Sequence, residues 1–250
     1  MDVMVFGIAG MISGFFVGSV YVSGNIILSL LLLYIPAWIL KIHLSAIDIT
    51  IIVGCQAVVA AVVVLPFRHR VLHWDLLKSV LIPASVSSLV GSLWLKWIPP
   101  SVILALLAVV TAGTVLLSLW NPVSSRPPNS THTHCVLGAT GFLVGFFGGT
   151  LGLGGGFLLV PTLRASGLPL RDAISNALVA GGFIALIGLM AKLPYHAVSP
   201  LLILVVGLTS VLGTGLGTAM SRRIPTTWLR YLVLGGMSVT ALNIWLKLLF

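Results

Sequence analysis

The sequence contains no glutamate, and its only aspartates are Asp2, Asp48, Asp75 and Asp172. Metal-cation carriers and proton pumps usually hold their ions with carboxylates inside the membrane. The shortage argues against a cation carrier and favours anions or neutral solutes. Charge of either sign is scarce: 7% of the 250 residues are charged and 58% are hydrophobic. A soluble domain carries about 25% charged residues, so this chain lacks the polar skin it would need in water. Soluble enzymes and nucleic-acid binders are thereby excluded. The 13 Lys and Arg residues fall between apolar blocks and read as membrane flanks. Two cysteines, Cys55 and Cys135, make no disulfide framework. Cys55 lies in an apolar run and reads as a small buried hydrophobe. Before the first apolar run stands Asp2, with no Lys or Arg, which opposes the basic start of a cleaved signal peptide.

A spanning helix takes about 20 apolar residues. On that scale the blocks are 3–41, 46–66, 77–97, 99–120, 135–163, 172–192, 197–220 and 225–250. The polar stretch 121–134, with Pro122, Pro127 and Pro128, divides a first transmembrane repeat at 1–120 from a second at 135–250. A shift of 131 residues superposes the two starts: Gly7, Gly10, Gly14, Phe15, Phe16, Gly18 and Gly24 fall on Gly138, Gly141, Gly145, Phe146, Phe147, Gly149 and Gly155. Later, Ile98-Pro99 matches Ile224-Pro225. Duplicated halves are the usual build of secondary transporters.

The cations test the topology. Four crossings per half divide them six against seven, without the bias expected of a membrane protein. Breaking blocks 3–41 and 135–163 into two legs each gives one side Arg68, Arg70, Lys78, Arg126, Arg164, Arg171, Arg222, Arg223 and Arg230. The other side keeps Lys41, Lys96, Lys192 and Lys247. Nine against four is a positive-inside pattern. Five elements per half is an odd number, so the halves are expected to be inverted relative to each other, with both termini outside. The expected fold is therefore an all-α integral membrane protein of two tandem halves. Each half has a glycine-broken first segment and three further transmembrane helices.

Seven glycines occur between positions 145 and 156. Glycine costs about 1 kcal/mol per position in a helix interior, so Gly152 to Gly156 oppose continuous helix. Irregular backbone at membrane depth is tolerated where it is buried in protein or lines a wet cavity. The leg beginning near Phe157 would aim its first N–H groups back at the break, as anion sites at helix N-termini do. Gly154, Gly155 and Gly156 are the candidates here, while Gly145, Gly148 and Gly149 suit close helix packing. The first-half counterpart has fewer glycines and carries Tyr21, Ser23, Gly24 and Asn25, whose hydroxyl and amide groups could stand in for backbone donors or cap a broken helix. Gln56 and Asn176 sit in similar places near the starts of corresponding spans. Asp48 and Asp172 lie at span beginnings, where a carboxylate favours the helix N-terminus.

The pattern Gly-x2-Gly-x3-Gly-x2-Gly-Gly-x2-Gly-x-Gly-Gly-Gly-x4-Pro at 138–161 resembles the signature of the sulfite exporter (TauE/SafE) family. The tandem halves and the chain length resemble it too. The resemblance covers essentially the whole chain, and its first-half motif is degenerate at Tyr21 to Asn25. It implies transport of small sulfur-containing or carboxylated anions such as sulfite and organosulfonates. It also implies small polar ligands near Ser175 and Asn176, residues that could equally make interhelical hydrogen bonds.

The expected function is thus a secondary transporter, an exporter of small anions, in the inner (plasma) membrane. The candidate substrate-binding residues are Ser23, Gly24, Asn25, Gln56, Gly154, Gly155, Gly156, Ser175 and Asn176. The alternatives are an anion channel and an intramembrane enzyme. The enzyme is disfavoured, because no His-Glu set, paired Asp or Gly-x-Ser-x-Gly motif lies inside the spans. No cofactor is expected. His132, His134 and Cys135 make only a weak metal pattern, and no metal is expected either. The expected partners are a small anion and the lipid bilayer, with room for a homodimer and no nucleic acid.

Overall fold

A computed structural model describes residues 2–20, 24–35, 44–120, 131–195, 198–221, 231 and 235. The helices are α1 (Asp2–Val20), α2 (Gly24–Ile35), α3 (Ala46–Arg68), α4 (Trp74–Trp94), α5 (Pro100–Trp120), α6 (Thr131–Leu151), α7 (Gly156–Ala165), α8 (Leu170–Lys192) and α9 (Pro200–Ser221). No strand occurs among the described residues. Five stretches there are long and apolar enough to cross a membrane: 47–68, 74–97, 133–151, 170–192 and 200–220. Large apolar side chains such as Ile82, Val86, Leu208 and Leu212 are exposed. In water they would form an aggregating surface, whereas lipid satisfies them. The block 225–250, apart from residues 231 and 235, and residues 21–23 and 36–41 of the stretch 3–41 lie outside the described residues.

Local chemistry sets several helix ends. Ser45 caps α3: its hydroxyl accepts from the Ile47 N–H at 3.3 Å, while Asp48 accepts from the Ser45 N–H at 3.3 Å. This is a capping box, which satisfies donors that the first turn cannot. Helix α6 starts at Thr131, within the stretch read as linker. Trp74, Trp94 and Trp97 are exposed at the two ends of α4, where aromatic side chains suit a membrane interface.

Two glycine seams organise the bundle. Helix α1 packs along α9, and α6 packs along α4. Gly10, Gly14 and Gly18 lie against the backbone of Val206, Ser210 and Thr214. Gly141, Gly145 and Gly149 lie against Val80, Ala84 and Ser88 in the same manner. At each of these positions an added Cβ would meet a neighbouring carbonyl, so only glycine lets the helices come this close. Helices α3 and α8 pack on each other between the seams, and both α3–α9 and α4–α8 contacts close the centre.

Candidate functional site

Between α6 and α7, Gly152 to Gly155 form an irregular turn, and residues 151–156 are all buried. Gly152, Gly154 and Gly155 have φ of +74°, +67° and +80°. Other residues reach this left-handed region only at a cost. Space is equally restrictive. A Cβ on Gly152 would run into the Thr50 carbonyl of α3. One on Gly154 would lie 3.0 Å from the Gly181 carbonyl of α8 and 3.4 Å from Ala57 of α3. One on Gly155 would strike Val144 of α6. Ala57 and Gly181 are the middle residues of their helices, so the turn sits at mid-depth of α3 and α8. Gly155 is the N-terminal cap of α7 and Gly156 its first residue. The N–H groups of Leu158 and Leu159 use the Gly155 carbonyl. Those of Gly156 and Phe157 precede any carbonyl the helix can offer them.

The first-half segment reaches this turn directly. Asn25, the second residue of α2, donates from Nδ2 to the Leu153 carbonyl at 3.0 Å, across 128 residues of sequence. The bond leaves its Oδ1 buried with no partner among the described residues. Gly24, just before it, fits against Val17 and the Ser13 carbonyl with no room for a side chain. Gln56 is fully buried and donates from Nε2 to Ser13 Oγ at 2.8 Å, and its Oε1 is likewise unpartnered among the described residues. Gly24, Asn25 and Gln56 therefore converge with Gly154, Gly155 and Gly156 on one region between α1, α2, α3, α6 and α8. Ser23 and Tyr21 lie outside the described residues.

Ser175 and Asn176 stand apart from this region. They begin the second turn of α8, Ser175 about 9 Å along the helix from Gly181. Asn176 Oδ1 accepts from the His73 N–H at 2.8 Å, and its Nδ2 donates to the carbonyls of Val71 at 2.9 Å and Asp172 at 2.8 Å. It ties the α3–α4 connection to α8. Ser175 donates to the Arg171 carbonyl at 2.7 Å and accepts from Arg68 Nη1 at 2.9 Å. The expected correspondence of Gln56 with Asn176 also changes. Helices α3 and α8 are both 23 residues long, and aligned end to end they set Gln56 opposite Ala180 and Asn176 opposite Ile52.

Sequence reasoning missed Lys192, which counts there as a flanking cation. The last residue of α8, it is 3% exposed. Its Nζ donates to Thr150 O at 3.0 Å and to Thr50 Oγ1 at 3.3 Å. It thereby joins α8 to α6, two residues before Gly152, and to α3, where Gly152 is wedged. No sequence signal distinguishes it, since a lysine closing an apolar block is ordinarily interfacial. Among the described residues, no three His, Cys, Asp or Glu side chains gather as a metal site. His134 Nδ1 instead lies 2.7 Å from Ser79 Oγ.

A helical chain with five stretches long and apolar enough to cross a membrane, and with large apolar side chains on its surface, belongs to the class of multi-pass membrane proteins. The family model described as "Sulfite exporter TauE/SafE" matches residues 6–244, and the chain belongs to that family. The family is one of membrane transporters of sulfite and related anions. No curated protein and no solved structure matches the chain.

Proposed function

We propose that the protein is a secondary carrier that exports a small anion, sulfite or an organosulfonate, across the inner membrane. The anion binds at mid-depth, where the two broken first segments meet. The observation that carries this reading is the bond from Asn25 to Leu153, which joins the two segments at the turn of Gly152 to Gly155. The N–H groups opening α7 supply partial positive charge aimed at that point, and Gly154 to Gly156 let a ligand approach the backbone. An inside-negative potential drives an anion outward with about 2.3 kcal/mol per charge per 100 mV, so no proton relay is required.

An inverted repeat fits the packing. A shift of 131 residues relates the glycines of α1 to those of α6. A shift of 126 relates their facing residues Val80, Ala84 and Ser88 on α4 to Val206, Ser210 and Thr214 on α9. Each half lends its first helix to a later helix of the other, as expected of two halves related by a pseudo-two-fold axis. With the cation distribution, this reading sets both termini outside.

The test is sulfite efflux from proteoliposomes. Wild-type flux is expected to saturate with concentration and to rise steeply with temperature, as a carrier's does and a channel's does not. Asn25→Leu and Gly155→Leu are expected to abolish it. Wild-type flux from either variant, folded and reconstituted to the same level, would sink the proposed site.

A further inference from the structure

We propose that Lys192 supplies the fixed positive charge that holds the anion beside the glycine turn, on the side facing the start of α3 and the end of α8. The assignment rests on the anion-transport reading and adds to it a cationic side chain that the backbone site alone does not require.

Geometry and burial carry it. Taking an ammonium out of water into the interior of a bundle costs several kcal/mol unless a counter-charge repays it. The partners of Lys192 are a hydroxyl and a carbonyl, both neutral. An ammonium has three donors, and among the described residues no carboxylate takes the third. The three aspartates whose side chains are described are placed elsewhere. Asp48 caps α3 through Ser45. Asp172 lies in the first turn of α8, some 30 Å along that helix from Lys192. Asp75 is in the first turn of α4, at an exposed end. A void of about 30 Å³ adjoins the cluster, with Ser29, Thr50 and Leu151 among its walls. That is room for about one water molecule, and an arriving oxyanion would have to widen it.

The competing role is purely structural: Lys192 could serve only to satisfy the Thr150 carbonyl near the end of α6, as lysines do at helix C-termini. An amide can donate that bond without a charge, which separates the two roles.

The experiment uses the full chain in proteoliposomes and follows initial sulfite flux against concentration. Lys192→Gln, which keeps a donor and loses the charge, is expected to raise the sulfite KM roughly tenfold or more. Its melting temperature in detergent should stay near that of the wild type, and sulfite should no longer raise it. A wild-type KM together with a wild-type thermal response to sulfite would overturn the assignment. Should Lys192→Gln not fold, Lys192→Arg decides. A guanidinium fork matches a planar carboxylate better than a point charge does, so the ratio of acetate to sulfite transport should rise about threefold or more. An unchanged ratio in a folded Arg variant would overturn the assignment, because a mere tether to α6 does not select between anions. If the wild type moves neither sulfite nor any other small anion, the transport reading itself fails. Flux by the wild type with an indifferent Lys192 removes only the lysine.

Discussion

Gly152, Gly154 and Gly155 are fixed both by backbone angle and by the atoms that would meet a side chain. Gly154→Ala is therefore expected to destabilise the protein by about 1–3 kcal/mol, the cost of holding an ordinary residue in a sparsely populated conformation. A thermal melt in detergent measures it. Gly113→Ala, where a Cβ meets nothing within 4 Å, is expected to leave the melt unchanged or slightly raised. Asn25→Ala loses one buried hydrogen bond and is expected to cost about 0.5–1.5 kcal/mol, with transport falling further than stability. Much of this was legible from residue types. Three adjacent glycines inside an apolar block have few uses other than irregular backbone, and Asn25 stood out as an amide in the matching stretch. Lys192 was not legible, because its burial depends on Thr50 and Thr150 arriving from distant parts of the chain. Ser175 and Asn176 looked like ligands, yet their hydrogen bonds are spent on Arg68, His73 and Val71, partners that no spacing rule brings to them.

Among the helices, the two glycine seams matter most. Lipid gives helices no hydrophobic reason to associate, so close backbone contact through small residues must do so. Gly145→Leu would drive a side chain into Ala84 and Ser87 of α4, and it is expected to prevent a monodisperse fold. Gly207→Leu on α9 faces open space and is expected to elute from size exclusion as the wild type does. The 39-residue block 3–41 is too long for one crossing, and helix is described in it over Asp2–Val20 and Gly24–Ile35. Helix α7 has only 10 residues, about 15 Å of helix, too little to cross alone. Its length follows from where Gly155 caps it and where Ser166-Gly167 ends it, features that hydropathy averages away.

For the whole molecule, the cation count predicts the orientation. In a background of Cys55→Ser and Cys135→Ser, a cysteine at the exposed position of His69 should react with an impermeant thiol reagent only from the cytoplasmic side. A cysteine replacing the exposed Lys96 should react only from the opposite side. Labelling from the reverse sides would contradict the predicted orientation, and labelling of both from one side would contradict a crossing by α4. The shared glycine spacing of α1 and α6 is legible in the sequence because both helices use those glycines for close packing, which tolerates little drift.

The central claim is that an anion sits where the two broken segments meet. Selenite, the heavier analogue of sulfite, locates it through its anomalous scattering in crystals of the transport-competent protein. The account predicts a selenium peak within hydrogen-bonding reach of the Gly156 N–H and the Asn25 side chain. Selenium found only at surface arginines or between lipid-facing helices, in protein that still exports sulfite, would contradict it.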